Sequence, residues 1–586
     1  MAKRRNRPSD EGRDDDASPT GTVYPPAERE LVVVAERDAQ LRVAEDGISS
    51  LAGAETSALT DFLAEEEVSL EPLFGMSEDH LQFNASWVAS QTGQEVPDLT
   101  PYYRVRADDD RLDALATGLE ALPEVAGAYV KPAPVPASAV DVRGGRTAAE
   151  RAAGIEAPVT ADFISRQGYL LAAPGGIDAI WAQTQAGGTG GGVQIVDIEG
   201  AWQLSHEDLL QNFGGVIAGT QTTDLAWRNH GTAVVGEFGG DPNGRGIVGI
   251  APAAGVRAAS IFGGLGSAGA IRAAADKLNS GDIILIELHR PGPRHNFESR
   301  DDQAGYIALE WWLDDFDAIR YAVSRGVIVV EAAGNGAENL DDALYDQPGP
   351  GFPASWRNPF DAANPSSQAV VVGAGAPPAG THGRDHGPDR SRLAFSNFGS
   401  RVDAQGWGRE VTTTGGRGYN PGDLQGGSDE TLWYTDTFSG TSSASPIVVG
   451  ALASIQGILA ARGLARLTPA GAISILRATG SPQTDAPGRP ATQRIGNRPD
   501  IRAAVAALAP AVVSQGLATQ YWHECLAYPT GDTASLWLLV GNAWKRLDHP
   551  STATLDLVQR AFLGAGSQVR VWFSGEEIVG LVVEGS

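Results

Sequence analysis

The sequence is poor in residues that cross-link a chain or carry it through a membrane. Among its 586 residues there is one cysteine, Cys525, so no intrachain disulfide can form. Lysine occurs at four positions, while the other forty basic residues are arginine. No run of the sequence approaches the roughly 18 apolar residues needed to span a bilayer. We therefore expect a globular chain that needs no disulfide scaffold and has no membrane partner.

Positive charge is also in deficit. The chain carries 72 acidic and 44 basic side chains, for a formal net charge of -28. This balance predicts no nucleic-acid partner, because phosphates would be repelled. Residues 43–103 hold twelve carboxylates and no lysine or arginine. We favour a solvated acidic face for this stretch over a surface for a basic partner.

The N-terminus lacks an export signal. Met1 to Pro8 is basic like the start of a signal peptide, but no apolar segment follows. Residues 1–28 are therefore predicted to be a disordered tail. With one cysteine and no recognisable leader, the expected compartment is the cytoplasm.

Four further segments follow the tail. Residues 29–132 are predicted to form a small α+β domain, since leucines at 112, 115, 119 and 122 have helical spacing between two strand-like runs. Residues 133–170 form a linker that begins with prolines at 134 and 136. Residues 171–510 alternate short apolar runs with Ala-rich helices, which predicts an α/β fold with a doubly wound parallel sheet. Residues 511–586 read as a small α+β module of unknown role.

Three segments of the α/β region carry residues suited to nucleophilic catalysis. Asp197 ends an apolar strand, at the sheet edge where ligands usually bind. His230 precedes Gly231 and an apolar helical run, and the glycine permits close backbone approach. Ser442 stands before a long helix, where unpaired N–H groups and the positive end of the helix dipole lie. Each residue alone has a structural explanation, but the order Asp, His, Ser in one α/β domain is a known order for a charge-relay triad.

With these motifs the chain resembles the subtilisin-like serine proteases, the subtilase family. The resemblance covers residues 177–508 and rests on five segments in order: Ser205-His206-Glu207-Asp208-Leu209, Asn229-His230-Gly231-Thr232, Ala332-Ala333-Gly334-Asn335-Gly336, Ala394 to Ser400, and Gly440-Thr441-Ser442-Ser443-Ala444-Ser445-Pro446. The family's fold is a subtilisin-type α/β fold.

The resemblance implies a role for each matching residue. It implies a triad of Asp197, His230 and Ser442, an oxyanion donor at Asn335, and substrate contacts at Leu288 and Gly334. It also implies a polypeptide substrate. His206 is expected to tie a loop.

The N-terminal α+β domain resembles the family's propeptide, a ferredoxin-like inhibitor with a tail that enters the active site. Proline fixes φ and lacks the N–H that strand pairing needs. Pro132, Pro134 and Pro136 therefore place any self-cleavage later, between Val140 and Leu171.

Two segments depart from the family pattern. The acid motif reads Asp197-Ile198-Glu199-Gly200, so the hydroxyl that normally follows the aspartate is lost and a residue is added. The substrate-pocket strand reads Glu287-Leu288-His289, of which Leu288 alone matches. Two roles are open for Glu287: selecting a basic substrate side chain, or pairing with Arg290.

No metal or cofactor is predicted. His382 and His386, with Asp385 and Asp389, lie in a Gly/Pro-rich loop that sets no rigid ligand geometry, so a solvated loop is expected. No calcium-binding loop is recognised.

The main hypothesis is a serine endopeptidase held latent by its N-terminal domain. The alternative is a catalytically silent binding protein of the same fold, acting through its peptide groove and with residues 511–586 as a partner-protein site. A third is another serine hydrolase, acting on esters or amides.

Overall fold

The computed structural model describes residues 27–44, 47–138, 159–509, 514–528, 531–564 and 567–585. Residues 1–26, in the predicted tail, and residues 139–158, in the predicted linker, lie outside these ranges. Contacts divide the chain into two compact units, Met1–Ala507 and Leu508–Ser586.

The N-terminal part of the first unit is an antiparallel sheet covered by helices. Its strands are β1 (Glu30–Ala35), β2 (Leu41–Ala44), β3 (Gly47–Ser50), β4 (Leu70–Pro72), β5 (Tyr102–Val105) and β6 (Val125–Lys131). The helices are α1 (Ser57–Glu65), α2 (Glu78–Thr92) and α3 (Leu112–Glu120). The main sheet has the order β4-β5-β1-β6, and β2 pairs with β3. Leu112, Leu115 and Leu119 of α3 are buried, as their helical spacing predicts.

A short strand, β7 (Val135–Pro136), follows this sheet, and a large parallel sheet forms the centre of the unit. The later strands are β8 (Gln194–Glu199), β9 (Phe213–Ala218), β10 (Gly255–Ser260), β11 (Ile283–Ile286), β12 (Leu288–Pro291), β13 (Tyr306–Ala308), β14 (Ile328–Ala332), β15 (Val370–Gly375), β16 (Ala404–Trp407), β17 (Val411–Thr414) and β18 (Tyr434–Phe438). Seven of them pair in the order β16-β15-β14-β11-β8-β10-β9, all parallel. β11 and β14 are fully buried, as strands covered on both faces should be.

Helices cover this sheet: α4 (Ala179–Gln183), α5 (Leu225–Gly239), α6 (Gly266–Ala275), α7 (Leu313–Ser324), α8 (Thr441–Ala461), α9 (Pro469–Thr479) and α10 (Ile501–Leu508). Among the described residues, α8 alone is long and apolar enough to cross a membrane, but 89% of its most apolar window is buried inside the protein. A core helix passes the same test of length and composition, so this is weak evidence for a membrane span.

The N-terminal sheet packs on helix α7 through buried charges. Lys131, at the end of β6, is fully buried and forms ion pairs with Glu30 (3.1 Å), Asp314 and Asp315 (3.4 Å). The Tyr129 hydroxyl donates to Asp314 at 2.9 Å. Breaking a buried pair by removing one partner typically costs about 3–5 kcal/mol. These pairs therefore fix the position of the N-terminal domain.

The second unit is a closed five-stranded sheet with one helix. It contains β19 (Ser514–Tyr528), β20 (Gly531–Val540), β21 (Ala543–Asp548), α11 (Thr552–Leu563), β22 (Ser567–Ser574) and β23 (Glu577–Gly585). The strands follow the order β19-β20-β21-β23-β22, and β22 pairs back onto β19. Leu536, Leu538, Val558 and Val571 lie in its core.

Candidate active site

Ser442 is the second residue of α8. The preceding Gly440 has a φ of 119°, a conformation that L residues with a side chain rarely adopt. At this turn the chain leaves β18 and enters a buried helix. Ser442 lies in the first turn of that helix, where its backbone N–H has no partner within the helix. The Ser442 side chain is fully buried, and the carboxyl of Glu287 lies beside its hydroxyl.

His230 projects from α5. Asp224 caps this helix by accepting hydrogen bonds from the N–H groups of Ala226 and Trp227. The glycine after the histidine is required, because a Cβ at Gly231 would lie 2.4 Å from the carbonyl oxygen of Ala201. The close approach expected at this position is therefore present, and it brings the loop after β8 against the imidazole.

The carboxylate that binds His230 is Glu199. His230 Nδ1 lies 2.8 and 2.9 Å from the two carboxylate oxygens of Glu199. Asp197 instead accepts a hydrogen bond from the indole of Trp202, at 2.8 Å. The assignment of Asp197 as the partner of His230 was wrong.

The error came from the end of the strand. β8 continues to Glu199, so the residue at its carboxyl end is the glutamate, two positions beyond Asp197 and on the same face. The reasoning that a carboxylate at a strand's carboxyl end faces the active site was sound. Ile198 is apolar, which indicates that the strand continues past Asp197. That signal would have identified Glu199 as the carboxylate at the end of the strand.

Burial dominates the electrostatics of the site. It lowers the pKa of His230 to about 3 and raises the pKa of Glu199 well above its usual value. Burial, together with the neighbouring Glu199, also raises the pKa of Asp197 well above normal. His230 is therefore a neutral imidazole, the form that can accept a proton.

Asn335, the predicted oxyanion donor, follows β14 and contacts the nucleophile's loop. Its side-chain oxygen accepts from both the backbone N–H and the hydroxyl of Thr441, each at 3.0 Å. Its Nδ2 donates to Gln303 Oε1 at 3.1 Å. Gln303 is buried, with a φ of 55°. Sequence reasoning missed Gln303 because it lies in an irregular loop outside every motif.

The segment after the N-terminal domain lies across Ser442. β7 pairs antiparallel with β12, placing Pro136 opposite Leu288 and Val135 opposite His289. The N–H of Ala137 donates to the carbonyl of Glu287, at 3.1 Å. The backbone N–H of Ser442 donates to the carbonyl oxygen of Ala137, also at 3.1 Å. The carbonyl of Ala137 is thus held on the nucleophile's own N–H group.

The prolines do not prevent this pairing. β7 is the edge strand of the sheet β13-β12-β7, and successive residues of an edge strand alternate in direction. Ala137 supplies the N–H to Glu287, so Pro136 need not donate one. The prediction that any cut falls later, between Val140 and Leu171, stays a prediction, but the prolines do not exclude Ala137 from the reacting position. Of the alternative range 140–171, residues 140–158 lie outside the described residues.

The two predicted substrate contacts differ. Leu288 lies in the strand that pairs with β7. Gly334, with a φ of 97°, accepts a backbone hydrogen bond from Asn397 instead. A side chain at Gly334 would meet Asn397 Nδ2 at 2.7 Å, so this glycine supports the loop that carries Asn335.

Glu287 does not pair with Arg290, while its other predicted role, selecting a basic substrate side chain, stays a prediction. Arg290 binds the carbonyl of Pro132 at 2.6 Å and Asp315 at 3.4 Å, so it is not the partner of Glu287. The Glu287 carboxyl is fully buried near Ser442, Glu199 and Asp197, and burial together with the two carboxyl groups raises its pKa well above normal.

Three further histidines, His206, His382 and His386, hold loops. His206 lies with Nε2 2.9 Å from the carbonyl of Trp433, while its Nδ1 accepts from the N–H of Asp208, which confirms the expected loop tie. His382 is 2.9 Å from the carbonyl of Asp436, and His386 is 3.0 Å from Glu410. The loop expected to be solvated is therefore tied down. Among the described residues, no three His, Cys, Asp or Glu side chains are grouped to hold a metal ion.

A family model described as the subtilase family matches residues 204–479, the stretch that carries His230, Asn335 and Ser442. This part of the chain is therefore similar to the subtilase family. Its parallel sheet flanked by helices fits the subtilisin-type α/β fold.

The same part of the chain is similar to curated subtilisins. Subtilisin NAT of Bacillus subtilis subsp. natto is 27% identical over 302 residues, 51% of this chain and 64% of that protein. Subtilisin Savinase of Lederbergia lenta is 26% identical over 291 residues, 48% of this chain and 84% of that protein. The chain thus spans less than two thirds of the length of Subtilisin NAT. The solved structure of the patellamide maturation protease PatA is 20% identical, with a TM-score of 0.37, over 54% of this chain and 97% of that one.

Proposed function

We propose that the protein is a serine endopeptidase with Ser442 as nucleophile, His230 as general base and Glu199 as the acid that orients His230. One observation carries this proposal above the others: the carbonyl of Ala137 accepts a hydrogen bond from the N–H of Ser442 while its strand pairs with β12. A peptide in extended pairing with its carbonyl on the nucleophile's N–H has the geometry of a substrate.

The chemistry follows from these contacts. Ser442 Oγ attacks the carbonyl carbon of Ala137 and passes its proton to His230. The oxyanion forms on the N–H of Ser442, with Asn335 Nδ2 as second donor once it turns from Gln303. His230 then protonates the amine of Ser138 as the C–N bond breaks, and water releases the acyl group from Ser442. Glu199 stabilises the imidazolium through Nδ1.

The N-terminal domain acts as a tethered inhibitor in this proposal. Its ferredoxin-like assignment and its resemblance to a propeptide are part of the same proposal, and the strand order β4-β5-β1-β6 supports them. Lys131 and its buried ion pairs fix the domain six residues before Ala137. Cleavage after Ala137 would leave those pairs intact, so the cut segment would remain in the groove and keep the enzyme latent.

A fluorophosphonate label tests the nucleophile directly. We expect the full chain to be labelled weakly while β7 covers Ser442, and strongly after mild proteolysis removes residues before 138. The Ser442→Ala variant treated in the same way serves as the matched control. Equal labelling of the variant, or no labelling after removal of the N-terminal domain from a folded protein, would contradict the proposal and favour the silent binding protein.

A further inference from the structure

The second unit has a strand connectivity that defines a known binding fold. Three strands are followed by a helix and two more strands, in the closed order β19-β20-β21-β23-β22. β21 and β23 are parallel, whereas β19 and β22 are antiparallel. This is the connectivity of the OB-fold, whose second and third strands present a face for oligonucleotides or oligosaccharides. The fold alone does not assign a ligand, so the side chains on that face must decide.

Aromatic residues occupy the corresponding face here. Leu536 and Leu538 of β20 point into the core, so the residues between and beside them point outward. Cross-strand pairing places Trp522 of β19 opposite Trp537 of β20, and Trp537 opposite Arg546 of β21. We define the aromatic face as this row and its two neighbouring rows: Trp522, Trp537, Arg546; Gln520, Leu539, Trp544; Glu524, Ser535, Asp548.

Two of the three tryptophans of the aromatic face are open to a ligand. Trp522 is 63% exposed and Trp544 is 39% exposed. Arg546 lies over the ring of Trp537, with its guanidinium carbon 5.3 Å from the ring centroid. Exposed tryptophans grouped on one face indicate a binding surface, because isolated exposure of so large an apolar side chain is unfavourable.

The charges of the aromatic face favour an uncharged ligand. Arg546 is neutralised by Asp548, with Nε 2.6 Å from the carboxylate, and Glu524 adds a further negative charge. The second unit as a whole has seven acidic and four basic residues. A nucleic-acid strand needs a positively charged groove beside the aromatic side chains on which its bases stack. The aromatic face has no excess positive charge.

The polar groups of this face suit hydroxyl groups instead. Ser535 donates to Asp548 at 2.8 Å and accepts from Arg546 at 3.3 Å, so these side chains form a fixed row of donors and acceptors. Gln520 lies in the row of Trp544. A sugar ring presents an apolar C–H face and a rim of hydroxyls, and tryptophan with neighbouring planar polar groups matches both.

We propose that the aromatic face binds a neutral oligosaccharide chain, stacking sugar rings on Trp522 and Trp544. Arg546, Asp548 and Gln520 bind the ring hydroxyls. This binding is separate from the proposed proteolytic chemistry. A bound oligosaccharide would hold the protein on substrates that carry glycans.

The test uses the full-length chain with Ser442→Ala, which cannot cut itself. Calorimetric titration with maltohexaose and with cellohexaose should show saturable binding to at least one, in the micromolar to millimolar range of Kd. Trp522→Ala and Trp544→Ala should each weaken that binding about tenfold or more, as loss of a central aromatic anchor does. Trp522→Phe should restore part of it.

Leu563→Ala is the matched control. Leu563 is an apolar side chain of the same unit, 76% exposed, on α11 and outside the aromatic face, so its removal should leave binding unchanged. Absence of saturable binding to both hexasaccharides at about 10 mM would overturn the proposal. Tighter binding of a 15-mer of thymidine than of either hexasaccharide would also overturn it. So would a Trp522→Ala variant that changes self-association of the protein and leaves saccharide binding unchanged.

Discussion

The candidate site has two sides that differ in how their residues are held. The strand side carries three buried carboxyl groups: Asp197 and Glu199 on β8, and Glu287 beside β12. The helix side carries His230 on α5 and Ser442 on α8. On the helix side each residue has one candidate role, whereas on the strand side three carboxyl groups compete for one. The hydrogen bond to His230 decides among them, and it belongs to Glu199.

The helix side should show the largest effect on substitution. Ser442→Ala removes the attacking oxygen, so we expect peptide hydrolysis and self-cleavage to vanish while the chain stays folded. Hydrolysis of a chromogenic peptide ending in Val-Pro-Ala, after removal of residues before 138, measures the first effect. Thermal unfolding of the same variant checks the fold. Undiminished hydrolysis in a folded Ser442→Ala protein would end the assignment.

Substitution of the two carboxyl groups on the strand side, Glu199 and Asp197, should have very different effects on kcat. Glu199→Gln should lower kcat by about 10⁴-fold, as replacing the triad acid by its amide does in the trypsin case. Asp197→Asn should lower kcat by less than about tenfold, because Asp197 bonds Trp202 and not His230, and an amide oxygen can still accept from that indole.

Steady-state kinetics of this matched pair resolve the two carboxyl groups. A reversed order, with Asp197→Asn the more damaging, would return the acid role to Asp197. Equal and small effects would mean that neither carboxyl orients His230.

The oxyanion donor should show an intermediate effect. Asn335→Ala should slow turnover about 10²–10³-fold with little change in KM, because its contact is made mainly in the transition state. Gln303→Ala should have a smaller effect on kcat, since Gln303 acts through Asn335, and Gln303→Glu should restore the hydrogen bond from Asn335 Nδ2. A large rise in KM with unchanged kcat in Asn335→Ala would contradict the oxyanion role.

Local sequence signals predicted the helix side because its constraints are local. Gly440, two residues before Ser442, is demanded by its own backbone conformation, and Gly231 directly follows His230, although the carbonyl that it accommodates belongs to Ala201. The leucines of α3 likewise revealed a helix through their own spacing. The choice between Asp197 and Glu199 depends on where β8 ends and on what α5 presents to it, which is a tertiary fact.

The position of Ala137 and the strand pairing of the second unit could not be predicted from the sequence, for a related reason. The pairing of β7 with β12 joins residues about 150 positions apart, and no local signal marks which of them lies on Ser442. In residues 514–585, strands and a helix were readable, but closure of β22 onto β19 was not. The exposure of Trp522 and Trp544 follows from that closure.

A smaller effect should come from His206, which contrasts with His230 by holding a loop. Burial lowers the pKa of His206 to about 4, below its ordinary value of 6.5. The unfolded chain therefore takes up this proton first, so stability is lost as pH falls from about 6.5 to 4. The shift corresponds to about 3 kcal/mol.

Urea unfolding of the Ser442→Ala protein between pH 7.5 and pH 4 measures this dependence. His206→Gln should make it shallower without abolishing it, because the amide can bond Trp433 and Asp208 without taking a proton, while buried His230 still contributes. His80→Gln, at an exposed histidine of the N-terminal domain, is the control and should leave the dependence unchanged. An unaltered slope in His206→Gln would show that other groups govern it.

The most direct test of the central claim is the new N-terminus that the protein makes for itself. Purified full-length protein should yield a fragment beginning at Ser138, because Ala137 holds its carbonyl on the N–H of Ser442. The fragment should remain bound to residues 27–137 through the ion pairs of Lys131, and it should be absent from Ser442→Ala. Intact-mass and N-terminal sequencing of the two proteins give the answer. A Ser442-dependent cut at another bond, or a Ser138 terminus that also appears in Ser442→Ala, would contradict the account.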